Sequence, residues 1–427
     1  MSNTNTIEVA QLQTIGVFAA VVLIVVLSVK KVTLGKVMCA STLVMALSSG
    51  FSFSGCANTI WSAFTNATTL NLVLSVMSIG LFSTIMNTTG YLDKMVQGLH
   101  GFLGNLKASI MIVPALIGSM PVLGGAAVSA PLVDKLGEGL HLPPDKKAAI
   151  NLVFRHGMFF VFPFSPNLIL LSNMIDMPVK TLISKLWPFG VVLWVTGYLF
   201  LLSKRSMGKT RAKSDIAVSH DIEENRGQKF FEFLKYGSPL ILALALSLVF
   251  NLPLWVSMGT GIIIGLTMAY FERAQLPSLD NLIRGANLSQ AFAMLWIMAF
   301  KEFVIASPVF PSLVGYAQGL GFSPAVLALV LPLLFGYVSA SQTTTLGVLA
   351  PILIPTAISQ NAVLYLACII YAAGFIAYFS SPLHLCQVLT CEYYKIDISK
   401  LYRLYWPILI SVAALMVGYV FVAEAYM

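Results

Sequence analysis

Two short polar runs interrupt an otherwise apolar chain, and their residue types suit recognition of an anion more than covalent chemistry. The first reads Gly118-Ser119-Met120-Pro121-Val122-Leu123-Gly124-Gly125 and runs on to Ser129-Ala130-Pro131. The second reads Gly336-Tyr337-Val338-Ser339-Ala340-Ser341-Gln342-Thr343-Thr344-Thr345-Leu346-Gly347. Gly and Pro break helices, and a broken helix offers unpaired backbone groups and a positive dipole end to an anion. The plainer alternative is a kinked helix whose Ser and Thr bond back to their own backbone. Recurrence at equivalent places favours binding.

Two Ser-Pro breaks add to the set, Ser165-Pro166-Asn167 and Ser381-Pro382-Leu383-His384. Proline removes an N–H and frees a carbonyl one turn earlier, which supplies acceptors unless the kink serves packing alone. The expected ligand contacts are therefore Ser119, Gly124 and Gly125 of the first tip, with Ser339 and the run from Ser341 to Thr345 of the second. Ser165, Asn167, Ser381 and His384 join them from the breaks.

Charged and titratable residues at membrane depth are costly unless paired or wet, so Arg155 and His156 are candidates for anion or proton coupling. Arg155 either snorkels toward Lys147 and the membrane surface or faces an anion. His156 and His384 titrate near neutrality and could relay protons, or they are hydrogen-bonding residues of the interior. Lys301 and Glu302 are adjacent and read as a local charge-balanced pair. No His-Glu-x-x-His run, no Gly-x-x-x-x-Gly-Lys loop and no intramembrane aspartate pair is present, which argues against an enzyme. Cys39, Cys56, Cys368, Cys386 and Cys391 lack metal-ligand spacing and read as free thiols, so no metal is expected.

The elements that must hold these residues lie in a bilayer. Hydrophobic residues make up 58% of the 427 and charged residues 10%, with a mean hydropathy of +0.86, whereas soluble domains carry about 25% charge. Residues 14 to 29 have no basic residue before them and no Ala-x-Ala site after them, so this segment is expected to be retained as a span. The formal net charge of +8 resides in short segments between apolar runs, which topology explains better than a nucleic acid does.

The chain is also written twice. Pro114, Gly118, Pro131, Ser165-Pro166 and Trp187-Pro188 return in order as Pro332, Gly336, Pro351, Ser381-Pro382 and Trp406-Pro407, at offsets of 216 to 220 residues. Spans are expected near 11–29, 36–54, 68–88, 148–166 and 186–203, then near 236–251, 254–271, 287–306, 361–380 and 405–424. Between the third and fourth span of each half, residues 108–134 and 322–358 predict a hairpin that enters and leaves on one side. Irregular backbone survives at that depth only within protein or beside a wet cavity. The expected organisation is a first repeat over 1–203, a cytoplasmic linker over 204–233 and a second repeat over 234–427.

With both termini outside, 21 of the 25 basic residues fall in the cytoplasm. Five spans per copy then require the second copy to be inverted. Paired inverted repeats with broken helices predict an all-α secondary transporter with its site near the midplane.

The segments PVLGGAAVSAPLVD, Pro121 to Asp134, and SSPLHLCQVLTCEYY, Ser380 to Tyr394, resemble the ion transporter superfamily. That group includes gluconate permeases, citrate and dicarboxylate carriers and the large membrane subunit of tripartite carriers. Within it the chain is most similar to a prokaryotic membrane family, domain of unknown function 401. The resemblance implies paired re-entrant hairpins, a scaffold and a mobile transport domain that moves as an elevator, and a small organic anion as substrate. Sodium-coupled dicarboxylate carriers show Ser-Asn-Thr at both tips. Neither tip here contains Asn, so protons are the expected driver and Na+ the alternative. The expected setting is a bacterial or archaeal inner membrane, with the bilayer and the anion as partners, no nucleic acid and a homodimer left open. The rival expectation is a non-transporting scaffold or sensor that kept the fold.

Overall fold

The computed structural model describes residues 2–119, 125–203 and 226–426. Gly124 and residues 204–225 of the linker lie outside the described residues. Twenty α-helices and no strand occur among those described. In the first half they are α1 (Ser2–Val29), α2 (Leu34–Ser48), α3 (Phe53–Thr65), α4 (Ala67–Thr88), α5 (Tyr91–Leu103), α6 (Leu106–Gly118), α7 (Gly125–Gly139), α8 (Pro144–Gly157), α9 (Pro166–Met174) and α10 (Val179–Gly197). The second half contributes α11 (Arg226–Leu248), α12 (Leu254–Glu272), α13 (Leu279–Gly285), α14 (Leu288–Ala306), α15 (Val309–Gly319), α16 (Pro324–Ser339), α17 (Gln342–Leu353), α18 (Gln360–Ser380), α19 (Leu385–Tyr394) and α20 (Ile398–Glu424).

Eight segments among the described residues are long and apolar enough to cross a membrane, and the pair α15–α16, bent by 110°, makes up to nine. Large apolar side chains such as Phe53, Ile263, Phe271 and Phe421 stand exposed on the helix faces, as a lipid-facing surface requires. The protein is a multi-pass membrane protein. Two of the expected spans are divided. The stretch 36–54 forms only α2, because the chain turns at Gly50 with φ of 77° before α3 begins. The stretch 148–166 forms α8 and a 3-10 turn over Met158–Phe160, because Pro163 and Pro166 lack the N–H groups that would carry the helix on.

Packing sorts the helices into two groups, each drawn from both halves. α1 to α5 pack with α11 to α14, chiefly through α5 on α11, α2 on α14 and α4 on α12. α6 to α10 pack with α16 to α20, chiefly through α16 on α18, α18 on α20 and α6 on both α7 and α8. The second group holds the most buried helices: every residue of α8 from Lys147 to Gly157 is buried. Both polar tips join packed helices within this group. Leu106, which opens α6, lies against Gly139, which closes α7, so these two helices form an antiparallel hairpin. α7 is fixed in turn by the Ser129 hydroxyl donating to Asn151 of α8 at 2.6 Å and by Tyr394 of α19 donating to the Ala130 carbonyl at 2.9 Å.

Candidate functional site

The second tip is built by a helix stop and a helix start two residues apart. α16 ends at Ser339, and Ala340 takes a left-handed conformation, φ 49°, with its N–H on the Gly336 carbonyl at 2.9 Å. Ser341 then caps α17, its Oγ accepting from the Thr344 N–H at 3.2 Å and from the Thr344 hydroxyl at 2.7 Å. The first Ser-Pro break uses proline differently. Pro166 occupies the first turn of α9, where a missing N–H costs nothing, and it holds Ser165 extended.

These two starts meet. A cavity of about 280 Å³ is lined by Ser119 at the end of α6, by Arg155 of α8, by Ser165, Pro166 and Asn167, and by Ala340, Ser341, Gln342 and Thr343. Both α9 and α17 begin at its wall, so two positive dipole ends face it. Asn167 joins them. Its Nδ2 donates to Gln342 Oε1 at 2.9 Å and its Oδ1 accepts from the Thr343 hydroxyl at 2.7 Å. Gln342 spends its own amide donor on the Tyr371 carbonyl at 3.2 Å, and the Tyr371 hydroxyl donates to the Phe159 carbonyl at 2.7 Å.

Arg155 does not reach for the membrane surface. It is 6% exposed, lines the cavity, and neither Nε nor Nη1 has a hydrogen-bond partner. A buried guanidinium left this way is costly unless a ligand or water completes it. Gly118 makes its position feasible: the α6 backbone passes so close that no side chain fits between.

Other expected contacts lie elsewhere. Thr344 and Thr345 are buried against their own turn, Thr345 donating to the Ser341 carbonyl at 2.9 Å. Ser339 is buried and its hydroxyl has no partner. The second Ser-Pro break is filled instead of open. Gln387 Nε2 donates to the Ser381 carbonyl at 3.3 Å, while Tyr402 at 3.2 Å and Tyr405 bind the rest of that amide. His156 and His384 are both buried and stand edge to face with centroids 5.0 Å apart, behind the wall formed by Arg155 and Tyr378. Neither histidine lines the cavity. Gly125 opens α7, while Gly124 is outside the described residues. Lys301 and Glu302 are partly exposed on α14 and do not line the cavity.

The sequence reading missed the apolar wall, Met158, Phe159, Phe162, Phe164 and Tyr378, and also Gln290. Gln290, a polar residue in an expected span, was the one signal available. Among the described residues it is the one lining residue from the first packing group, so the cavity opens where the two groups face each other.

A family model described as protein of unknown function (DUF401) matches residues 12–423. No curated protein matches the chain. Among solved structures, the YdaH transporter of Alcanivorax borkumensis, described as having an unusual topology, is similar with a TM-score of 0.60 at 15% identity. The match covers 88% of this chain and 89% of that one. At that identity the likeness shows a shared fold.

Proposed function

The chain belongs to the DUF401 family, and from that premise and the geometry of the cavity we propose that it is a secondary active transporter of a small organic anion. The observation that carries this reading is Arg155, buried and unpartnered beside two helix N-termini in a cavity sized for a small molecule. A carboxylate placed there takes the guanidinium, the Ser341 hydroxyl and backbone N–H groups, and it removes the cost of the bare charge. The aromatic wall then accepts the organic part. The shared fold with a solved transporter supports the class.

In this proposal the two tips are re-entrant hairpins from inverted repeats, and the group containing the cavity moves against the group containing Gln290 to alternate access. Both termini face outward across a bacterial or archaeal inner membrane. Protons drive the cycle, with Na+ as the competing ion.

A thermal-shift screen of purified protein against carboxylates, sulfonates and sugar acids tests the site. A ligand at a hundred times its Kd stabilises the native state by about 2.7 kcal/mol. A stabilising anion whose effect disappears in Arg155→Gln supports the reading. No stabilising anion, or one that acts equally on Arg155→Gln, overturns it. Uptake into proteoliposomes under a pH gradient without sodium then decides the driver: strict dependence on sodium rejects proton coupling.

A further inference from the structure

Behind the Arg155 wall, three soft or borderline ligand groups converge from two distant parts of the chain. His156 comes from the last turn of α8, His384 from the second Ser-Pro break and Cys386 from the first turn of α19. Their ligand atoms all lie within 4.8 Å of one another, the one such group of three among the described residues. We propose that His156, His384 and Cys386 form a binding site for a d10 transition-metal ion, Cu+ or Zn2+, that joins the two halves of the chain. The inference does not depend on the transport reading.

The lone pairs are in place. His156 Nδ1 lies 2.8 Å from the Leu152 carbonyl, and because a carbonyl only accepts, this nitrogen carries the proton. That leaves Nε2 as a bare acceptor, and it has no hydrogen-bond partner. A backbone carbonyl that fixes the tautomer and orients the ring is the usual outer support of a metal-bound histidine. His384 makes no well-aligned hydrogen bond at either nitrogen, the Phe379 carbonyl being the backbone group that faces it. The histidines are 0% and 1% exposed, so water does not satisfy them either. Buried unpaired polar atoms cost about 1–3 kcal/mol each. One bound ion satisfies a nitrogen on each ring.

Thiolate and imidazole together select Cu+ and Zn2+ over harder ions. Zn–N and Zn–S bonds of about 2.0 and 2.3 Å place neighbouring ligand atoms about 3.5 Å apart, so binding needs a contraction of about 1 Å. Cys386 is half-buried and sits in the first turn of α19. The Tyr378 hydroxyl contacts the thiol. Arg155 is the cation within electrostatic reach of all three ligands. A cation there opposes a second positive charge. With one thiolate, Cu+ leaves the ligand set neutral while Zn2+ leaves it positive, so Cu+ is the tighter ion.

The test uses the purified full-length chain in detergent, titrated with Cu+ under reducing anaerobic conditions and separately with Zn2+, each against a chromogenic chelator. The expected result is one equivalent bound, with affinity reduced about ten- to hundredfold or more in Cys386→Ser and in His384→Gln. A second readout needs no variant: bound metal slows alkylation of Cys386 in the native chain while leaving that of Cys56, on α3, unchanged. Competition that removes both ions completely, or binding that survives Cys386→Ser while Cys386 of the parent chain is alkylated at its metal-free rate, overturns the site.

Discussion

A Cβ placed on Gly118 would stand 2.5 Å from Cγ of Arg155 and 2.6 Å from its carbonyl oxygen. The glycine is thus the surface on which the arginine rests. At its counterpart Gly336 the close approaches are milder and come from side chains, the Ala377 Cβ at 2.9 Å and the Thr345 hydroxyl at 3.0 Å, with the Gly374 carbonyl at an ordinary 3.5 Å.

Gly118→Ala is therefore expected to destabilise by about 1–3 kcal/mol and to displace Arg155, because the clash includes backbone that cannot turn aside. Gly336→Ala is expected to cost less. Thermal unfolding of both variants checks the order, and equal melting temperatures for Gly118→Ala and the parent would contradict the contact.

Arg155→Met separates stability from binding. Removing an unpaired buried charge is expected to raise the stability of the ligand-free protein by about 1–3 kcal/mol. The same change should abolish stabilisation by any anion that protects the parent. A fall in ligand-free melting temperature would show that Arg155 has a partner in the native state.

Asn167→Ala leaves Gln342 Oε1 and the Thr343 hydroxyl without their partner, at an expected cost of about 1–3 kcal/mol. A double-mutant cycle with Thr343→Val should show coupling of at least about 0.5 kcal/mol, since the two residues share a hydrogen bond. Additive effects would mean that the bond contributes nothing.

Ala340 occupies a left-handed conformation that glycine adopts freely, and a Cβ there costs roughly 1–2 kcal/mol. Ala340→Gly should therefore raise the melting temperature, less the entropy glycine loses on folding. Calorimetry in detergent reads the net effect, and a large loss would show that the methyl group packs in the cavity wall.

The sequence carried much of this arrangement because polar residues stand out against an apolar background. Ser119, Ser165, Asn167 and the run from Ser341 to Thr343 were visible for that reason, and the structure gathers them at one cavity together with Arg155. Phe159, Phe162 and Tyr378 were not visible, since an aromatic that faces a cavity looks like one that faces lipid. Ser381 was read as the equivalent of Ser165, yet Gln387 fills its break, and only the fold brings that amide six residues back onto the carbonyl. The spans 36–54 and 148–166 showed how hydropathy misleads: both are apolar enough, and Gly50 and Pro163 divide them. Cys386 lacked any sequence spacing to His156 because the chain closes that distance through its fold.

The side chain of Asn167 also limits how the cavity can open. One amide holds both Gln342 and Thr343, so the first turns of α9 and α17 have no independent degree of freedom while the two bonds last. They form a hinge-free corner shared by the two halves of the chain. In the proposed transport cycle, gating that keeps this corner intact falls to the other walls, among them the Gly118–Ser119 end of α6 and the Gln290 face of α14.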